Sequence, residues 1–324
     1  MSDNAPLFGP RMQAFLIVFW LLMVAITGGV YLGYKAFISP RDWATPLLWI
    51  PQGQSTPAIA SSIARESGLN DLLIKAYVRA FVTKPLQAGE YDLADRPPVA
   101  LVIARIQNGK FIKRSITIPE GLTSFQIIEK LKTLYGLTVD CPDWKTVPEG
   151  SLLPETYAYV RGETCTALLG RMKSLMDKAA ADMWPQRDPS LPYKDWNEAV
   201  TMASIVERET GVAAERPRVA GVFVNRLRLG MPMQSDPTTI YALSGGTGVL
   251  GRELTRADWK VPHAYNTYTI PALPPGPIAH PGKASLQAAL HPETNDFLFF
   301  VTNGTGGHAF AKTLDQHDRN VSNK

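Results

Sequence analysis

The chain has 324 residues, 45% of them hydrophobic and 19% charged, which excludes wholesale disorder and allows two domains. A net charge of +4 without any block of Lys and Arg excludes a surface that tracks nucleic-acid phosphates. Only two cysteines occur, Cys141 and Cys165, outside any CxxC or Cys/His pattern of a zinc site, and they are either a disulfide or two free thiols.

Residues 12–34 carry no charge. At about 1.5 Å per residue this run spans a hydrocarbon core of about 30 Å. A cleaved signal peptide has a shorter apolar stretch, so the expectation is one uncleaved transmembrane helix. Residues 1–11 form a short tail before it and residues 35–47 a linker after it. Arg11 on one flank and Lys35 and Arg41 on the other leave orientation undecided by charge.

A motif then occurs twice. Ile50-Pro51-Gln52-Gly53 and Ile118-Pro119-Glu120-Gly121 each lead into an amphipathic helix begun by Ser or Thr and ended at Gly-Leu (Gly68-Leu69 and Gly136-Leu137). Between the copies, apolar runs flank Asn108-Gly109, which predicts a hairpin of two strands. Residues 48–160 are therefore expected to form small α+β units, and residues 161–324 a mixed α+β domain. Helices are expected over residues 168–183, 196–210 and 215–229, and a buried strand over 296–302, followed by a glycine run that ends at His308. A structural role is the expectation for His308.

The helix over 196–210 carries Glu207 and Glu209 at the end of an apolar run. Small residues (Ala203, Ser204, Thr210, Gly211) are the helical neighbours of Glu207 and leave room above its carboxylate for a bulky substrate. A carboxyl against a partly apolar wall suits a general acid. Glu209 points about 200° away along the helix, which fits a salt-bridged surface residue. Asp236, followed by Pro237, reads either as an N-cap or as a second carboxylate for catalysis. Asn225, Gln234, Ser235, Asp236, Tyr241, Tyr265, Asn266 and Tyr268 have the polar and aromatic character that suits sugar hydroxyls and ring faces. No metal triad, phosphate loop or nucleophile elbow is present, so neither a metal nor a cofactor is expected.

The blocks over residues 203–243, 265–292 and 306–317, together with both I-P-x-G elements, residues 88–93 and residues 149–157, resemble the endolytic murein transglycosylase (YceG-like) family. The resemblance covers nearly the whole chain. It departs at His263 and Ala264, at Leu153, and at His280, which stands where the family usually has Asn. It implies a LysM-like subdomain around the second I-P-x-G element, a catalytic domain behind it, and Glu207 as the essential glutamate. The implied reaction cleaves MurNAc-β-1,4-GlcNAc bonds of peptidoglycan and leaves 1,6-anhydro-MurNAc ends, so that nascent strands are terminated. The implied setting is the inner membrane, with residues 1–11 cytoplasmic, the catalytic domain periplasmic, and peptidoglycan synthases as partners. Two readings compete: a muramidase that uses Asp236 as second carboxylate, and a non-catalytic peptidoglycan-binding scaffold.

Overall fold

The computed structural model describes residues 9–323, so most of the expected cytoplasmic tail lies outside the described residues. The chain divides into two compact units, one ending at Lys113 and the other starting at Arg114, and the division falls between the two I-P-x-G copies.

In the first unit, α1 (Pro10–Ile38) contains the whole apolar run and exposes it along nearly its full length. It also runs on through part of the expected linker. Phe37, in its last turn, is buried and stacks on Tyr77 with centroids 4.4 Å apart. β1 (Leu47–Ile50) pairs antiparallel with β2 (Gly89–Asp92). Between them lie α2 (Thr56–Ser67), ended by left-handed Gly68, and α3 (Asp71–Phe81), begun by the Asn70 side chain, which accepts from the N–H groups of Leu72 and Leu73.

The expected hairpin around Asn108-Gly109 is not formed. Its first half is a helix, α4 (Val99–Gln107), and Asn108 is the C-cap of that helix. Val99, Val102, Ile103 and Ile106 are all buried, at helical spacing. The β-branched residues suggested a strand, but the stripe they form is helical, and tertiary burial decided the outcome. The Asn-Gly pair ends this helix instead of turning a ribbon.

The second unit repeats the same local design. β3 (Arg114–Thr117) pairs antiparallel with β4 (Thr156–Tyr159), and α5 (Ser124–Lys132) lies between them. Both I-P-x-G turns place glycine in the left-handed region, Gly53 at φ 77° and Gly121 at φ 78°, where a Cβ would be strained. Thr123 and Gln126 close a capping box at the start of α5. α5 ends at Lys132, short of the expected Gly136-Leu137, with Gly136 in a separate turn.

Cys141 and Cys165 form a disulfide, with Cα atoms 5.1 Å apart and a sequence separation of 24. It ties the segment after α5 to the start of α6 (Cys165–Met183). Closing a loop of this size stabilises by about 3.5 kcal/mol on the chain-entropy relation. The double substitution Cys141→Ala/Cys165→Ala is therefore expected to lower the denaturation midpoint, and an unchanged midpoint would contradict that role.

The helices expected over 168–183, 196–210 and 215–229 form, the last two as α7 (Trp196–Glu209) and α8 (Arg216–Arg228). Two helices that were not expected as such, α9 (Asp236–Leu243) and α10 (Lys283–Leu290), follow in the stretch after residue 230. α7 is the centre of this core. Residues 199–206 of it are all buried, and α8 and α10 pack against it. Asp195 caps its start by accepting from Glu198 N–H at 2.9 Å. The strand expected over 296–302 is shorter and less buried than its apolar sequence suggested. β5 (Phe299–Thr302) pairs with β6 (His308–Ala311) as a two-stranded ribbon with partly exposed faces, and α11 (Leu314–Ser322) packs against it.

Candidate active site

The end of α7 is where chemistry-bearing side chains converge, on two faces. Ser204, one turn before Glu207, accepts from Ile278 N–H at 3.0 Å and so fixes the proline-rich run over 274–281 against the helix. That run continues into His280, which exchanges backbone hydrogen bonds with the second I-P-x-G turn. Gly121 N–H donates to His280 C=O (2.9 Å), and His280 N–H donates to Leu122 C=O (2.8 Å). The Glu207 carboxylate lies beside this junction.

Glu207 Oε1 accepts from Arg216 Nη2 at 2.9 Å, and Oε2 accepts from the backbone N–H of Gly282, also at 2.9 Å. Its side chain is 5% exposed. The open space expected above Glu207 is thus occupied, because the small neighbours on α7 admit protein partners. Arg216 Nη2 also donates to Glu120 Oε2 at 3.3 Å, so one guanidinium nitrogen serves two carboxylates. Burial and the charge of Glu207 both push the Glu120 carboxyl above the usual carboxylate range, and Arg216 opposes them. Gly282 admits this close approach, since a Cβ there would stand 1.7 Å from Glu120 Oε1. Arg208 Nη1 donates to Gly121 C=O at 3.3 Å and pins the turn that carries Glu120.

A second group of residues lies behind His280, which is fully buried. Its Nδ1 accepts from Leu152 N–H (3.0 Å), so in the neutral ring Nε2 carries the hydrogen, facing Ser124 Oγ (2.9 Å) and Glu149 Oε1 (3.2 Å). Burial drives the imidazole down to about 3. It also drives the Glu149 carboxyl up to about 8, despite hydrogen bonds from Ser124 and Tyr241. Both groups are therefore neutral at pH 7. The sign follows from linkage. Glu149 has a folded value above its ordinary 4.5, so its contribution to stability is complete below about 4.5 and is lost as pH rises through about 8. Glu149→Gln, which cannot lose a proton, is expected to flatten the fall in melting temperature between about pH 5 and pH 8. An unchanged slope would show that Glu149 is not the group responsible.

The expected substrate residues separate into three sets. Tyr241 and Tyr265 pack with centroids 5.0 Å apart beside Glu149 and belong to the group around His280. Asn225 and Asn266 are committed to the backbone. Asn225 donates to the carbonyls of Asn295 and Phe297, and Asn266 donates to those of Asp258, Trp259 and Val261. Gln234, Asp236 and Tyr268 line a cavity of about 500 Å³ on the opposite face of α7, together with Glu209, Phe299 and His308. Ser235 lies beside it, and its hydroxyl donates to Glu209 Oε1 at 2.5 Å.

Glu209 is therefore not the salt-bridged surface residue that was expected. Burial raises its carboxyl to about 7, and the nearby Asp236 adds to the effect. Asp236 is the first residue of α9, with Ser235 in the N-cap position, and accepts from Tyr268 hydroxyl (2.7 Å) and Trp259 indole N–H (2.9 Å). His308 Nδ1 pairs with Glu215 Oε2 at 2.7 Å, in line with a structural role.

Sequence reasoning missed Glu120, Glu149, Arg216 and Gly282. One available signal was the variable position of the repeated turn, which holds Gln52 in the first copy and Glu120 in the second.

Residues 48–323 match the model of the YceG-like family. The endolytic murein transglycosylase of Bacillus subtilis is 30% identical over 328 residues, covering 91% of this chain and 89% of that protein. A Streptococcus pneumoniae protein of the same name is 27% identical over 369 residues, with 96% of this chain matched and 65% of the relative's length spanned. A crystal structure of a YceG-like protein from Listeria monocytogenes aligns with a TM-score of 0.51 at 30% identity, covering 84% of this chain and 98% of that one.

Proposed function

The chain belongs to the YceG-like family, and from that membership we propose that it is a peptidoglycan lytic transglycosylase whose acid/base catalyst is Glu207. The observation that carries the residue assignment is the setting of Glu207, where two donors converge on one shielded carboxylate at the junction of α7, the I-P-E-G turn and Gly282.

In the proposed reaction, protonated Glu207 gives its proton to the glycosidic oxygen between MurNAc C1 and GlcNAc O4, and the C1–O4 bond breaks. The carboxylate so formed is the species that the Arg216 guanidinium and the Gly282 N–H stabilise. It then takes the proton from the C6 hydroxyl of the same MurNAc, whose oxygen closes onto C1 as a 1,6-anhydro ring. Glu207 ends protonated again, and no water is consumed. The attack is intramolecular, so no second carboxylate is needed.

A second reading is favoured by one observation, the cavity that Glu209 and Asp236 share. A carboxyl raised to about 7 is matched to general-acid work at neutral pH. With Asp236 as partner, such a pair would hydrolyse the glycan as a muramidase and leave reducing MurNAc ends. Product mass separates the two readings, because anhydro-ended fragments are lighter than hydrolysed ones by one water. A digest that yields only reducing ends sinks the transglycosylase reading.

The remaining assignments are parts of the same proposal. α1 is a single-pass inner-membrane anchor, with the units after it in the periplasm and residues 1–11 in the cytoplasm. The β3–α5–β4 element is a LysM-like glycan-binding subdomain within residues 48–160, ahead of a catalytic domain over 161–324. The cavity residues Gln234, Asp236 and Tyr268, with Ser235 beside them and with Tyr241, Tyr265, Asn225 and Asn266, form or support the substrate surface. Action close to the bilayer would terminate nascent strands beside peptidoglycan synthases.

A further inference from the structure

A carboxylate that acts first as acid and then as base must change charge twice in each turnover, while its neighbours hold their positions. Among the described residues, the only group that donates to Glu207 through a charged side chain is Arg216, on α8. Arg216 is itself largely buried, at 12% side-chain exposure, and its Nε has no hydrogen-bond partner. The guanidinium is therefore not held by a full fork of contacts. It is held through Nη2, between Glu207 Oε1 at 2.9 Å and Glu120 Oε2 at 3.3 Å.

Once Glu207 is protonated, its attraction for Arg216 falls. A buried guanidinium without a counter-charge would be costly to keep in place. Among the described residues, Glu120 is the one carboxylate besides Glu207 in contact with the same nitrogen. Accordingly we infer that Glu120 is a positioning residue for the reaction, which takes over Arg216 when Glu207 carries its proton and yields it back when Glu207 is ionised. The inference rests on Glu207 being the acid/base catalyst.

Several observations converge on this exchange. Glu120 and Glu207 influence one another electrostatically, as the upward push of Glu207 on the Glu120 carboxyl shows, and such coupling is reciprocal. Gly282 leaves the space that Glu120 occupies, and its N–H holds the other oxygen of Glu207. The remaining charges near the site are otherwise engaged. Arg208 is bonded to Gly121 C=O, and Lys283 is paired with Glu155 at 2.7 Å. Glu155 acts on Glu120 only as a weak repulsion, the least of its influences. His280 and Glu149 are buried together behind the turn and neutral at pH 7.

The test is the pH dependence of kcat/KM for cleavage of uncrosslinked glycan strands by the full chain in detergent. Glu120→Gln removes a negative charge and leaves Arg216 wholly to Glu207, so the alkaline limb is expected to move to lower pH, by about one unit. Arg216→Met removes the positive charge and is expected to move the same limb to higher pH, by about one unit or more. Glu120→Asp should restore most of the wild-type profile. Should Arg216→Met fail to fold, Arg216→Gln provides the same neutral comparison, and Arg216→Lys, with its charge retained, should keep the limb within a few tenths of a unit of wild type.

Opposite shifts support the exchange. Limbs that stay in place, or that move in the same direction in both charge-removing variants, overturn it even where activity drops, since a merely structural role lowers activity without moving the limb. Glu207→Gln is run beside them. Loss of cleavage in that variant with unmoved limbs in the others defeats the inference about Glu120 alone, whereas full activity of Glu207→Gln defeats the assignment on which it rests.

Discussion

Glu207→Gln is expected to abolish the formation of anhydro-ended fragments, with kcat lowered by about 10²–10⁴-fold, the range for loss of a general acid. The amide keeps the size of the side chain and an oxygen to accept from Arg216 or from Gly282 N–H, so fold and strand binding should survive. Mass analysis of digested strands, with pull-down on intact sacculi, checks both halves. Retained binding with lost cleavage separates an enzyme from a scaffold. The matching variant is Glu209→Gln. If Glu207 is the catalyst, Glu209→Gln should retain cleavage, because its side chain leaves α7 on the other face and faces the cavity with Asp236. Loss of activity in Glu209→Gln alone would instead favour the carboxylate pair of that cavity.

The largest effect on stability is expected at Arg226, which makes no hydrogen bond to Glu207. It is 7% exposed. Its Nε donates to Leu298 C=O (2.6 Å), and its Nη1 reaches the carbonyls of Pro232 (3.0 Å) and Met233 (2.9 Å) and Gln234 Oε1 (3.1 Å). One side chain on α8 therefore anchors both the approach to β5 and the loop that enters α9. Arg226→Met fills similar volume but leaves these acceptors without their donor, and each unpaired buried group costs about 1–3 kcal/mol. Allowing for relaxation, we expect a loss of about 4 kcal/mol, or roughly 8–16 °C in melting temperature for a unit of this size. Calorimetry of the full chain tests it, and a shift under about 2 °C would mean that the loop finds other donors.

The repeated turns, the apolar N-terminal helix and the core helices were legible because each is a local property of its own residues. Positive-φ glycines, caps and helical stripes are set by neighbours within a few positions. The failed hairpin belongs to the same class, since Asn-Gly ends a helix as readily as it turns a ribbon, and only burial of Val102 and Ile106 distinguishes the cases. Glu207 was legible through its surrounding blocks. Its partners were not. Arg216 lies on the next helix, Glu120 is 87 positions earlier and Gly282 is 75 later, and no periodicity links such residues. The opposed faces of Glu207 and Glu209 follow from helical geometry. That Glu209 would line a cavity depends on where α9 and β5 pack, which their own sequences do not specify. Asn225 and Asn266 show the converse limit: an amide that suits a sugar hydroxyl suits a backbone carbonyl equally well.

The seating of Phe37 against Tyr77 has a mechanical consequence. At about 1.5 Å per residue, the 29 residues of α1 extend about 43 Å, beyond the roughly 30 Å of a hydrocarbon core. With α1 in a bilayer, its last turns would stand clear of the lipid and be bolted to the first unit by an aromatic stack. The attachment is then a mast and not a leash: when the helix leans, the unit leans with it. Helix tilt responds to the thickness of the surrounding bilayer, so in that setting the local lipid composition would be read out as the lean of the first unit.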